Sequence, residues 1–188
     1  MAFDSGEGVE VFDVESDPPK KLMQLPKDDN VYALTLSGDG TVLVTASVEA
    51  TRIWSIGRTS ATLTAKIEEA FGRAVAVSAT GTTVAFCENG RITVFQDAKR
   101  RKQFAARQGS LSGLVFVGAD SWPLLSASED DGRLILWSED GSKQMDIATG
   151  TKIEDVAVSH DRKYAATANR DGCIRIFRLP LINSHLKQ

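Results

Sequence analysis

The fold turns on five stretches: Val9-Glu10-Val11-Phe12-Asp13-Val14, Thr51-Arg52-Ile53-Trp54-Ser55-Ile56, Arg91-Ile92-Thr93-Val94-Phe95-Gln96-Asp97, Arg133-Leu134-Ile135-Leu136-Trp137-Ser138-Glu139-Asp140 and Cys173-Ile174-Arg175-Ile176-Phe177-Arg178-Leu179. Each is an alternating apolar run that carries one aromatic: Phe12, Trp54, Phe95, Trp137 and Phe177. These aromatics are spaced by 42, 41, 42 and 40 residues. A period held that closely over four intervals marks an internal repeat.

The stretches between the aromatics repeat as well. Tyr32–Leu36 and Val42–Ser47 flank Gly38-Asp39-Gly40. Ala74–Val77 and Val84–Cys87 flank Thr80-Gly81. Leu114–Val117 and Leu124–Ser128 flank Gly118-Ala119-Asp120, and Val156–Val158 and Tyr164–Ala168 flank His160-Asp161-Arg162. Short runs rich in β-branched residues and bounded by Gly, Asp and Asn read as strands. Asn89-Gly90, Asp131-Gly132 and Asp171-Gly172 precede the aromatic strands, and such pairs make tight antiparallel turns. A more polar strand follows each aromatic: Lys21–Leu25, Thr62–Ile67, Gln103–Ala106 and Gln144–Ile147. Lys and Gln suit an outer edge that faces water. Each period therefore encodes four antiparallel strands, and the fold class is all-β, a β-propeller of about four to five blades. Glu68-Glu69-Ala70-Phe71 is the best helical candidate and is expected as a loop between units.

Units are expected over residues 31–67, 73–107, 112–148 and 153–179, with a partial unit over 8–25. Ala2–Gly6 reads as the end of a second strand. The last unit has three strands before Pro180. Three arrangements are compatible with this: a piece of a longer propeller, a small ring whose N-terminal strands complete the last unit, or a gap filled by a strand from a partner.

The repeat resembles the WD-repeat family across nearly the whole chain. Leu125-Ser126-Ala127-Ser128-Glu129-Asp130-Asp131-Gly132-Arg133-Leu134-Ile135-Leu136-Trp137 and Thr167–Phe177 carry the likeness. It implies a non-enzymatic platform role in protein complexes. The signature Asp stands only at Asp13, with Ser55, Gln96, Ser138 and Arg178 elsewhere, and the first strands lack a Gly-His pair. The turn Asp matches at Asp131 and Asp171, is Asn89 in one unit, and is missing at Val48. These departures imply blades held mainly by apolar packing. Gly8–Asp13 and Thr45–Ser47 look similar to the phosphoinositide-binding branch, but its paired arginines have no counterpart here.

The formal net charge of -3 gives no global attraction for phosphate. Cys87 and Cys173 lack metal spacing and are expected as reduced thiols in strands. The N-terminus lacks a leader pattern, and no apolar run is long enough for a membrane helix. The chain is expected in the cytoplasm or nucleus. His160 and His185 have no nucleophile at motif spacing, and no catalytic, cofactor or metal motif is present. Glu129-Asp130-Asp131 reads as turn chemistry rather than a metal site.

Two candidate surfaces remain. The loops joining second to third strands carry Glu49, Glu88, Glu129, Asp130 and Arg170, and their mostly acidic character predicts a basic peptide or protein surface as partner. The rival is Lys99-Arg100-Arg101-Lys102, expected on a loop with Arg91 and Arg107 nearby, which would take RNA or an anionic membrane. With Phe104 the one aromatic at hand, it lacks a stacking platform for single strands. Trp54 and Trp137 read as packing residues, and Trp122, just before Pro123, as the aromatic expected to be partly exposed and a weak candidate for a contact.

Overall fold

The computed structural model describes residues 1–27, 30–68, 74–97, 99–106, 109–118 and 122–180, and those residues contain strands and no helix. Five antiparallel sheets succeed one another along the chain. Sheet I holds β1 (Ala2–Asp4), β2 (Val9–Asp13) and β3 (Lys20–Gln24). Sheet II holds β4 (Val31–Leu36), β5 (Val42–Ser47), β6 (Thr51–Ile56) and β7 (Ala61–Ile67). Sheet III holds β8 (Ala74–Val77), β9 (Thr83–Glu88), β10 (Arg91–Gln96) and β11 (Lys99–Ala105). Sheet IV holds β12 (Leu111–Phe116), β13 (Leu124–Ser128), β14 (Arg133–Trp137) and β15 (Lys143–Ala148). Sheet V holds β16 (Ile153–Val158), β17 (Tyr164–Asn169) and β18 (Ile174–Arg178).

Within each sheet the strands pair in sequence order, and neighbouring sheets pack in chain order. This is the WD-type propeller arrangement with an open ring. Sheet I begins at Ala2, ahead of the partial unit expected over 8–25, and within the stretch expected as the end of a second strand Ala2–Asp4 pairs with Val9–Val11. The strands β1–β3 pair with one another and so do not complete sheet V. Glu68 is a turn, while Glu69–Phe71 and the turn residues Ala119 and Asp120 lie outside the described residues.

Each sheet has a forward face, turned to the next sheet, and a rear face, turned to the one before. The register fixes which residues lie on which. Leu125 pairs with Leu136 and Ala127 with Leu134, so these four share the forward face of sheet IV. They form one cluster with Ile153, Val156 and Ala165 on the rear face of sheet V. Ala85, Cys87, Ile92 and Val94 of sheet III likewise meet Leu111, Leu114, Leu124, Ile135 and Trp137 of sheet IV. The core is therefore a series of slabs between sheets, which suits a repeat whose single unit cannot bury its own apolar face.

The aromatic is aimed by a recurring irregularity. Pairing to the fourth strand shifts just before the aromatic in four sheets, at Val11/Phe12, Ile53/Trp54, Val94/Phe95 and Leu136/Trp137. Such bulges increase local twist and re-aim the side chain they precede. The indole N–H of Trp54 donates to Thr45 Oγ1 at 3.1 Å, and that of Trp137 to Ser126 Oγ at 2.8 Å. Sheets II and IV are thus pinned by one buried indole hydrogen bond each, in addition to the apolar packing expected to hold them. Trp122 is half-buried, with ring centroids 6.2 Å from Phe104 and 6.3 Å from Phe116. It is thus partly exposed, as expected, unlike the buried Trp54 and Trp137, and it packs in an aromatic cluster.

Four turns are stitched by carboxylates. Ser37 Oγ donates to Asp39, whose carboxylate also accepts the Thr41 N–H. The same pattern joins Ser159, Asp161 and Lys163, and Ser138, Asp140 and Ser142. Asp171 accepts from Arg175 and from the Cys173 N–H. These donors hold all four carboxyls below the usual range. Asp140, led by the Ser138 hydroxyl, and Asp171, led by Arg175, are lowered to about 2. A depressed carboxyl stabilises the fold above its ordinary value and loses that contribution as pH falls through its folded value. Stability should therefore decline between about pH 4 and pH 2. Asp171→Asn should flatten the decline, as read by urea midpoints across that range; an unchanged slope would remove Asp171 from the account.

Candidate functional site

Antiparallel pairing puts every turn between second and third strands at the same end of its sheet as the connection to the next sheet. The five predicted residues all lie at this end. Glu88 is the last residue of β9, Glu49, Glu129 and Asp130 lie in their turns, and Arg170 comes directly after β17.

The structure brings two of them together. A cleft of about 740 Å³ opens at this end between sheets III and IV, and Glu88 and Asp130 both line it. Its floor is apolar, from Cys87, Ala105 and Leu111, and its wall carries Arg91, Asn89 and Ser110. Burial pushes the Cys87 thiol up to about 12, so it stays protonated and serves as an apolar floor. Asp130 is fixed from two sides: its carboxylate accepts the Ser110 N–H at 2.6 Å, and its own N–H donates to Ser128 Oγ at 3.2 Å.

The cleft has a local cause. At the next junction, the Thr149 N–H donates to Gly132 O at 2.9 Å, and its hydroxyl, with one proton to give, has Thr151 O at 2.7 Å and Gly132 O at 2.9 Å as acceptors, which ties the connection down over the turn. The corresponding residue before the cleft is Ala106, whose N–H reaches Gly90 O at 2.8 Å but whose side chain has no hydroxyl to make the second tie. A Cβ on Gly132 would meet Thr151 O at 2.1 Å, whereas Gly90 has nothing within 4 Å. Ser110 stands in no sequence motif, and Arg91 draws notice in the sequence only beside the basic run; the Asn89-Gly90 turn is the nearest signal for either.

The other three predicted residues do not join the cleft lining. Glu49 pairs with Arg52 at 3.2 Å, and Arg170 with Glu154 at 3.5 Å. Half-buried Glu129 donates its backbone N–H to Ser110 O at 3.2 Å.

The basic run is not on a loop. Lys99–Lys102 opens β11, with Lys99 opposite Gln96, Arg100 opposite Phe95 and Lys102 opposite Val94. This is the outer strand of sheet III, where long cations can project into water. The Arg100 guanidinium lies 5.9 Å from the Phe95 ring centroid, and Lys102 Nζ donates to Glu139 O at 2.6 Å. Arg107 and His185 lie outside the described residues, and His160 is an exposed turn residue. Cys87 is buried in β9, whereas Cys173 precedes β18 and is exposed rather than packed in a strand; both are free.

The family model "WD domain, G-beta repeat" matches residues 144–178. Among solved structures, the chain is similar to that of U3-55K, with a TM-score of 0.70 and 19% identity. The match covers 83% of this chain and 51% of that one, so the chain spans about half that structure's length. At this identity the likeness is one of fold. The comparison with curated proteins gives no match.

Proposed function

Since the chain carries a WD repeat on a propeller-type fold, we propose that it is a non-enzymatic interaction platform that holds a basic segment of a partner protein in the cleft between sheets III and IV. The observation that carries this reading is the presence of two carboxylates, Glu88 and Asp130, against one cation, Arg91, among the described residues lining a cleft with apolar Cys87 and Leu111. Pockets of this size with a few convergent polar groups take chains or ligands that supply both an apolar stem and a matching charge. Lysine and arginine have that form.

Fluorescence polarisation against synthetic peptides of graded charge tests this. Basic peptides should bind best. Glu88→Lys should weaken them about tenfold, or about 1.4 kcal/mol, and Asp130→Asn should do so less severely because the amide keeps an oxygen for the Ser110 N–H. Glu49→Lys, away from the cleft, should leave affinity unchanged. Equal affinity for acidic and basic peptides, or indifference to Glu88→Lys, would refute the site. The rival, anion binding through β11, is weakened because Arg100 and Lys102 already have intramolecular partners. It would appear as binding to RNA with a steep salt dependence.

A further inference from the structure

The two ends of the open ring are complementary in kind. The register places Ala166 opposite Ile176 and Ala168 opposite Ile174, which makes these four the forward face of sheet V. The corresponding residues of sheet IV are Leu125, Ala127, Leu134 and Leu136, each 0% exposed beneath the adjoining sheet. In sheet V, Ile174 is 75% and Ile176 71% exposed. At the other end, the rear face of sheet I presents Phe3 stacked on Phe12, with ring centroids 5.3 Å apart.

The chain itself shows what covers such a rear face. Sheet III has the same device, Phe86 stacked on Phe95 at 5.6 Å, in the same two register positions. That pair is buried with Ala46 of sheet II's forward face. Ala46 stands where Ala168 stands in sheet V, in each case opposite the residue three before the aromatic. The junction between sheets II and III is therefore an internal template for joining a sheet V to a sheet I. Within one chain these faces lie at opposite ends of the arc.

We propose that the forward face of sheet V docks on the rear face of sheet I of a second copy of this chain. The contact is heterologous, so assembly either closes into a ring or continues as a chain of copies. Exposed apolar side chains at both ends supply the attraction. Among the described residues sheet I has three strands, with none inside β1, so the junction is narrower by one strand than that between sheets II and III, and association should be reversible and concentration-dependent.

The test is sedimentation velocity on the 188-residue chain with no tag residues ahead of Met1, because the Met1 amino group bonds Phe12 O at the proposed interface. Average mass should rise between about 1 and 100 µM, the range for a small interface. Ile174→Glu with Ile176→Glu should weaken association about a hundredfold by placing charge on the apolar face, as should Phe3→Lys at the other end. Near-ultraviolet circular dichroism checks that both fold. Mixing the two variants leaves one intact face on each and should yield a one-to-one dimer that grows no further. Three results would overturn the proposal: a wild-type chain that stays monomeric throughout, Phe3→Lys associating like the wild type, or a mixture that remains monomeric. The second would indicate contact between two copies of sheet V, and the first would assign the face to some other occupant.

Discussion

Trp137→Ala is expected to destabilise the chain by about 3–5 kcal/mol, the cost of removing a large buried aromatic. Trp137 is 2% exposed and sits in the slab between sheets III and IV with Ile92, Val94 and Leu124. Its ring lies 5.1 Å from that of Phe104, and its N–H is held by Ser126. Trp137→Phe keeps most of the apolar volume and loses the hydrogen bond, so it should cost less, about 1–2 kcal/mol. Urea denaturation reads both as shifts in midpoint at constant slope. Equal costs for the two variants would mean that the hydrogen bond rather than the volume dominates. That would contradict the slab as the main source of cohesion.

Gly132→Ala should cost about 2–4 kcal/mol, whereas Gly172→Ala at the same turn position one sheet later should cost only about 1 kcal/mol. Both glycines have left-handed backbones, at φ +65 and +80. That conformation alone penalises a side chain by roughly 1 kcal/mol. The difference lies in what surrounds them. An added Cβ on Gly132 meets the Thr151 carbonyl oxygen at 2.1 Å, and that oxygen is held by Thr149. Around Gly172 there is nothing within 4 Å. Paired denaturation curves decide the matter. Matching losses would show that the backbone conformation sets both costs and that the tied connection yields freely.

The strands were legible in the sequence because alternation, aromatic spacing and Asp-Gly or Asn-Gly turns all carry short-range signals. The bulge before the aromatic in sheets I to IV was not. It needs the partner strand's register, which no local pattern prints. The indole partners were hidden for the same reason: Thr45 and Ser126 lie nine and eleven residues before their tryptophans, and only the register brings them under the rings. The basic run misled because four consecutive cations resemble a solvated loop, yet an outer strand with two wet sides tolerates them as well. Of the candidate acidic residues, Glu88 and Asp130 were found by their place at the turns. What unites those two is the junction between sheets III and IV, where both line one cleft; Glu49 stands on the turn of sheet II and is paired with Arg52, and no local pattern separates these surroundings.

The slab-by-slab core has a thermodynamic corollary. Each sheet is coupled only to its nearest neighbours, so the free energy holding any one of them is a sum of short-range terms rather than a property of the whole molecule. Sheets II, III and IV have neighbours on both flanks, while sheets I and V have one each. Opening fluctuations should therefore enter from the termini and move inward, as fraying does in a helix–coil chain. A destabilisation measured at Trp137 then describes the middle of the array, and the single number that suffices for a closed globule becomes a gradient along this one.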